Sequence, residues 1–303
     1  MEKTGTHSGV LHSDEGFGVA TLDLLGILGI LIRTRDPKAL AECTRRLDVG
    51  GKYDPATGDF DHHQKGGAGV RENGIPYASF GLVWRHYGTE LCGSEAVATL
   101  IDERLVQGID ALDCGHELIR EYAHQDVRVY SISDAISAFN PSWQENPKPE
   151  DFDRQFLAAV EVAKAILQRE IIRAKGDQEA TSVVKEAYQR MVGSTSPLGL
   201  KVLVLERFCP WQETLFDLDI EGVIQFVVFP SETGDWRIQV VPAAKGVFKA
   251  RRDLPATWAG KRDEELAQLT DCKDAVFCHN ARFIAGAKSK ESILHMAELA
   301  LRS

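Results

Sequence analysis

Along the first third of the chain, short apolar runs alternate with three-to-four spacing, the pattern of strands and helices in an α/β layer arrangement. The most apolar stretch, Ala20 to Ile32, is interrupted by Asp23, Gly26 and Gly29. It falls short of the roughly 20 residues that cross a bilayer and reads as a buried helix with an adjoining strand. A helix is predicted from about Asp14 to Leu25, with Ser13 as N-cap and two acidic residues in the first turn, where the helix dipole favours them. The small residues Gly16, Gly18 and Ala20 let a neighbouring backbone come close. Pro37 opens a second helix, predicted to run to Arg46, and Leu47-Asp48-Val49 starts a strand that Gly50-Gly51 ends. Tyr53 to Gly58 has the turn chemistry of a hairpin connection, which would bring Asp48 near Asp61-His62-His63. Residues 65–70 form a glycine-rich loop, and helices are predicted over 78–87, 94–107 and 117–124.

From 151 to 193 the residues Phe156, Val160, Ala163, Leu167 and Ile171 keep the spacing of one amphipathic helix, a bridge between two halves. The last third changes texture. Residues 201–205 and 223–229 read as strands, 231–235 as a hairpin turn and 236–241 as the returning strand. A helix over 290–301 closes the chain. The division is therefore 1–150, an α/β unit; 151–195, a helical connection; and 196–303, a smaller unit. A length of 303 residues agrees with two domains.

With 44% hydrophobic and 26% charged residues, the composition is that of a globular protein. No basic stretch leads into an apolar run at the N-terminus, so no secretory signal is read and the cytosol is expected. Six cysteines (Cys43, Cys92, Cys114, Cys209, Cys272, Cys278) form no C-x-x-C pair, which argues against a zinc ribbon or a disulfide framework and for reduced core thiols. A net charge of -10 does not suit a protein that coats nucleic acid, but it leaves a nuclease open, since metal sites concentrate carboxylates. Lys245, Lys249, Arg251, Arg252, Lys261 and Arg262 form the best candidate basic strip, with a solvated surface an equal alternative.

His7, His12 and Asp14 lie within eight residues where a strand meets a helix, the position from which side chains converge on a ligand in open α/β sheets. Asp48 is a second ligand position or an ordinary strand terminator. Asp61-His62-His63 shifts the balance, because adjacent histidines beside an aspartate have no packing rationale. Mixed imidazole and carboxylate ligation without cysteine ranks Mn²⁺ above Mg²⁺, with Zn²⁺ as an alternative. A bridging carboxylate such as Asp48 would admit two ions, which would lower the pKa of a water and neutralise phosphoryl charge. Spacing leaves three further acids undecided. Asp110 and Asp113 fit a solvated helix face as well as a ligand pair, and Asp134, among serines, fits a helix cap.

Taken together, Thr6 through Glu15, Asp48 through Pro55 and Asp61-His62-His63-Gln64 resemble the Myg-type (melanocyte-proliferating-gene) branch of the DHH phosphoesterases. The likeness extends through Asp110 to Gly115, Asn140 to Trp143, Cys209 to Trp211, Trp236 to Pro242 and His279 to Gly286, so it covers almost the whole chain. It implies a parallel-sheet DHH-type N-terminal domain facing a smaller α+β C-terminal domain across a cleft, as in RecJ-like exonucleases, oligoribonucleases and manganese pyrophosphatases. His7, His12 and Asp14 match the first motif, with a His where the wider superfamily has Asp and one extra residue in the spacing. By the same resemblance Asp48 is the bridging carboxylate, His62 the metal-bound histidine and His63 the neighbour facing the scissile phosphate, with Asp61 orienting His62. Asp113 resembles the fourth-motif Asp, Asp110 is a nearby second, and Asp134 drops out. His279, Arg282, Gly286 and Lys288, with Arg237 a weaker fifth, are similar to the substrate-side elements of the second domain.

The resemblance implies a metal-dependent hydrolase with two Mn²⁺ or Mg²⁺ ions. Eukaryotic members of the branch are described as 3′ to 5′ RNA exonucleases of the nucleus and mitochondria, which implies RNA or oligonucleotide substrates here. This chain lacks their N-terminal targeting extension, so the cytoplasm is the expected compartment. Two alternatives stand beside this reading: a phosphohydrolase acting on a small phosphorylated or pyrophosphate-like compound, and a non-enzymatic metal-binding protein. No membrane partner is expected, and a homodimer is compatible with the chain.

Overall fold

A computed structural model of the chain describes residues 2–119, 121, 124, 126–194 and 198–303. It divides into two compact units, Met1–Lys175 and Gly176–Ser303. In the first, β1 (Lys3–Thr6), β2 (Ile30–Arg33), β3 (Arg45–Leu47), β4 (Tyr53–Asp54) and β5 (Asp59–Phe60) form a sheet in the order β2-β1-β3-β5-β4. Strands β2, β1, β3 and β5 are parallel, and β4 returns antiparallel on β5, so the sheet is mixed. Parallel neighbours need crossovers. These are α1 (Ser13–Leu24) between β1 and β2, and α2 (Pro37–Ala41) between β2 and β3. The β4–β5 connection is the expected turn. Gly58 takes φ +73 there, and a Cβ would sit 2.2 Å from the Thr44 carbonyl oxygen.

Helix α1 is buried from Ser13 to Leu22 and stacks Phe17 on Phe80 of α3 (Ser79–Cys92), the ring centroids 5.2 Å apart. Gly18 provides the close approach: a Cβ would stand 3.0 Å from Leu47 Cδ2 on β3. Helices α4 (Glu95–Ile101), α5 (Gln107–Asp113), α6 (Ile132–Ser137) and α7 (Pro149–Val192) complete the unit. Its core includes Phe17, Phe60, Phe80 and Phe156, each fully buried, and such a side chain contributes about 1.5–3 kcal/mol.

Several boundaries differ from expectation. Helix α1 is capped by His12 rather than Ser13: the His12 N–H donates to Glu15 Oε1 at 2.8 Å. Helix α2 stops at Ala41, because Arg45 and Arg46 belong to β3, where the Arg46 guanidinium pairs with Asp59 of β5. Asp48 follows β3 instead of starting a strand. The helical run from Glu95 passes through a π-helical stretch, Asp102–Val106, and continues to Asp113. Of the predicted helix 117–124, residues 120, 122 and 123 lie outside the described residues, and the described ones, 117–119, 121 and 124, are not helical.

The unit boundary falls inside α7. Its residues Phe156, Val160, Ala163, Leu167 and Ile171 serve the first core; Ala180, Val184, Ala187 and Met191 serve the second unit. That unit contains β6 (Val202–Val204), α8 (Gln212–Leu218), β7 (Phe226–Pro230), β8 (Trp236–Val240), α9 (Asp263–Thr270), β9 (Ala275–Cys278), β10 (Ile284–Ala287) and α10 (Lys290–Arg302). Its sheet order is β6-β7-β8-β10-β9, parallel only between β6 and β7. Alternation along β7 covers both faces: Phe226 and Val228 join one cluster with Met296, while Val227 and Phe229 join another with Leu203. Among the described residues, no helix is long and apolar enough to cross a membrane.

Candidate metal centre

Three adjacent parallel strands reach the same edge of the first sheet, and each releases a polar side chain there: His7 after β1, Asp48 after β3, and Asp61, His62 and His63 after β5. The carboxyl ends of parallel strands are where open α/β sheets place ligands. The start of α1 adds His12, Asp14 and Glu15, and the last residue of α5 is Asp113. Asp48 adopts φ +53, a left-handed backbone that Asp tolerates better than most residues, and its N–H donates to the Phe60 carbonyl at 3.2 Å.

The side chains converge. His7 Nε2 lies 3.1 Å from Asp48 Oδ2 and 3.3 Å from Glu15 Oε1; His62 Nε2 lies 3.2 Å from Asp48 Oδ1 and 3.1 Å from Asp113 Oδ2. Close as they are, His7 Nε2, His62 Nε2, Asp48 Oδ1, Glu15 Oε2 and both carboxylate oxygens of Asp14 are buried without a hydrogen-bond partner. Buried polar atoms are almost always hydrogen-bonded, and buried charges are paired or hold metals. Ligand atoms within 4.8 Å of one another form three overlapping groups: His7, His12, Glu15 and Asp48; Asp48, Asp61, His62 and His63; and His12, Asp14 and Asp113. Asp48 belongs to two of them, one oxygen toward His7 and the other toward His62. Orphaned nitrogen and oxygen atoms in this number fit a divalent cation.

The electrostatics agree. Burial opposes ionisation of His7, but Asp48 and Glu15 outweigh it and hold the imidazole at about 10. Burial likewise opposes charge on His62, and Asp113 and Asp48 carry it up to about 12. Asp48 is held far below the ordinary carboxylate range: burial works against this, and His62 and His7 prevail. Asp14 is displaced the other way, well above its ordinary value, by its complete burial and then by Asp48, Glu15 and Asp113. Without an ion, two protonated imidazoles face four carboxyl groups, Asp14, Glu15, Asp48 and Asp113, so negative charge remains in excess.

Other expected site residues are placed as follows. Asp61 accepts from Gly51 N–H at 2.5 Å and meets His63, not His62, through Nδ1 at 2.8 Å and the backbone N–H at 3.1 Å. His62 instead has Cys114 Sγ at 3.5 Å from its Nδ1. His63 is 62% exposed on its side chain. Asp110 does not join the cluster: it faces Arg71 Nη2 at 2.8 Å and accepts from Gly81 N–H at 2.9 Å, and burial pushes its carboxyl up to about 7 despite Arg71. Asp134 caps α6 with Ser131.

In the second unit the structure pairs Arg237 with Gly286 across β8 and β10, where a Cβ on residue 286 would stand 2.2 Å from Arg237 Nη1. That Nη1 is buried without a hydrogen-bond partner, and the guanidinium lies over Phe277. His279 and Arg282 occupy the β9–β10 turn, and Lys288 follows β10 at the opposite end, so the five candidates are not gathered at one point. Sequence reasoning missed Glu15, Cys114 and Arg35. The last lines a cavity of about 260 Å³ with His7, His12, Asp48, Asp61 and His63. Glu15 carried a signal, three residues after His12, but it is the same signal a helix cap gives.

The model of a family described as "MYG1_exonuc: Uncharacterised protein family (UPF0160)" matches residues 3–301. Curated relatives include "MYG1 exonuclease" of Homo sapiens, 33% identical over 99% of this chain and 85% of its own, and "MYG1 exonuclease" of Bos taurus, 33% identical over 99% and 84%. "MYG1 protein YER156C" of Saccharomyces cerevisiae is 34% identical over 98% of this chain and 94% of its own. A solved pGpG-specific phosphodiesterase from Vibrio aligns over 100% of this chain and 98% of its own at 12% identity and a TM-score of 0.32, too slight a likeness to inform the fold.

Proposed function

The chain belongs to the MYG1 exonuclease family, and from that membership we propose that it is a metal-dependent phosphoesterase shortening RNA or short oligonucleotides from the 3′ end. The observation that carries the reading is the set of buried, unpartnered polar atoms on His7, Asp48 and His62 at the ends of three parallel strands and on Asp14 and Glu15 in the first turn of α1. In this reading two ions, Mn²⁺ before Mg²⁺, are held by His7, His12, Asp14, Asp48, His62 and Asp113, with Glu15 added and Asp110 left to its ion pair with Arg71. Asp48 would contribute to holding both, since its two oxygens face different histidines. Such ions lower the pKa of an attacking water and neutralise charge on a phosphoryl oxygen. His63 stands at the solvent side, steered by Asp61, and donates to the scissile phosphate. Arg35 lines the same cavity with a cation suited to phosphate. The first unit is the DHH-type catalytic unit, the second binds substrate through Arg237, His279, Arg282 and Lys288, and the enzyme works in the cytoplasm.

One observation favours a smaller substrate. The cavity at the centre holds about 260 Å³, below the roughly 300–1,000 Å³ of ordinary small-molecule pockets, which suits a small phosphorylated group. The test incubates the protein with Mn²⁺ or Mg²⁺ and 5′-labelled RNA, single-stranded DNA, a dinucleotide, pyrophosphate and a generic phosphodiester. A ladder of progressively shorter labelled RNA is expected. Hydrolysis of pyrophosphate or the dinucleotide alone would replace the polymer reading, and no hydrolysis at all would end both.

A further inference from the structure

In the second unit, the carboxyl end of β8 and the β9–β10 turn lie at the same end of the sheet, because Ile284 pairs with Gln239 and Val240 N–H donates to the Phe283 carbonyl at 3.0 Å. A loop projects from this end. Its base is closed by Arg251 N–H on Val241 O at 2.8 Å and by Ala243 N–H on Lys249 O at 2.7 Å. Arg282 then anchors the continuing chain, accepting from Leu254 N–H at 3.1 Å and pairing with Asp253 at 2.9 Å. On the returning limb, beside the closing residue Lys249, Phe248 is completely exposed, at 106%.

A lone exposed apolar residue is ordinary. This one has companions at the same sheet end: His279 is exposed, and its ring lies 4.5 Å from that of Phe283, itself 40% exposed. The surrounding cations are largely committed. Lys245 pairs with Glu213 and Asp217, Arg251 with Asp219, and Arg282 with Asp253. Lys249, next to Phe248, has no ion pair among the described residues; Arg252, hydrogen-bonded to Gln225 at 3.4 Å, and Arg262, over Phe277, have none either, but neither belongs to the loop. A loop that inserts into an anionic membrane needs several free cations around its aromatic tip, and a protein partner needs far more apolar area than one ring. An unpaired base asks only for a π-face and a neighbouring charge for its phosphate.

We propose that Phe248 is a base-stacking contact for single-stranded nucleic acid, with Lys249 against the phosphate of the same nucleotide. The proposal rests on the nucleic-acid reading above. Since Lys249 is the one cation of residues 243–249 without an ion pair among the described residues, its contact adds a shallow salt dependence to binding.

The test compares Phe248→Ala and Phe248→Trp with the parent chain in Mn²⁺, using a short single-stranded RNA, an abasic strand of equal length and a generic phosphodiester. Phe248 has no packing to lose, so both variants fold. Phe248→Ala should raise KM for the RNA about tenfold with kcat within about twofold, leave the abasic strand and the phosphodiester unchanged, and be reversed by the tryptophan. An unchanged KM for RNA overturns the proposal, as does an equal loss on the abasic strand. Loss of binding to phosphatidylserine vesicles instead of RNA overturns it in favour of a lipid surface. A parent chain that cleaves the phosphodiester but no strand overturns the nucleic-acid reading itself, whereas a parent that cleaves RNA beside an indifferent Phe248→Ala overturns this contact alone.

Discussion

The two sheets of this protein treat their polar residues in opposite ways. The first gathers carboxylates and imidazoles at one strand edge and buries them, with Asp14 and Glu15 wholly inaccessible. The second leaves His279 and Lys288 exposed and spreads its candidate residues over both ends of β10. Burial is what makes the difference instructive. An exposed cation costs little and reports little, whereas a buried, unpartnered carboxylate is unfavourable by several kcal/mol, and something must compensate for it. The first sheet therefore identifies its ligand class by itself, and the second depends on the chemistry of whatever docks there.

The largest expected effect tests the first half of that contrast. Asp48→Ala removes the carboxylate shared by two ligand groups and should lower kcat by about 10³-fold or more, with loss of bound Mn²⁺ by elemental analysis. Retained metal and activity would show that the buried cluster is only structural. Next comes pH. His7 at about 10 and His62 at about 12 both carry protons at neutrality, and an ion must displace them. Mn²⁺ affinity measured by calorimetry should rise by about tenfold per pH unit for each proton released between pH 6 and 8, with proton release visible in buffers of different ionisation enthalpy.

Two smaller effects sharpen the comparison. Arg237→Met in the second sheet should raise KM for an oligonucleotide about tenfold while metal content stays unchanged, because the guanidinium is far in sequence and role from the ligand cluster. A drop in metal content would break the separation of roles. Asp14→Asn should weaken metal binding yet stabilise the metal-free protein by ~1–3 kcal/mol in urea titration, since a charge made unfavourable by burial and by three neighbouring carboxylates is removed. A destabilised metal-free variant would mean that Asp14 has a partner of its own.

Much of the first sheet was legible in the sequence, because its ligands lie in short segments at strand ends and a hairpin turn with Gly58 brings two of those segments together. Glu15 was hidden because capping and ligation use the same spacing. Asp110 and Asp113, one helical turn apart, could be separated only by seeing that Arg71 takes the first and His62 meets the second. The pairing of Asp61 with His63 instead of His62 depends on ring orientation, which no spacing encodes. In the second unit, β10 escaped notice because a four-residue strand of Ile, Ala, Gly and Ala carries little β signal, and β9, with Val276 and Phe277, because four residues are too short a run to stand out. The reason for Gly286 appears only when Arg237 is seen lying across it.

The first turn of α1 carries a further consequence. His12 and Glu15 fasten the start of this helix to itself and also stand among the ligating atoms, so local folding and ion occupancy draw on the same side chains. Amide hydrogen exchange over Ser13 to Phe17 thus becomes a spectator of loading: protection there should climb as Mn²⁺ is added, whether or not any substrate is present, and backbone opening in a single turn would serve as an occupancy gauge for the whole centre.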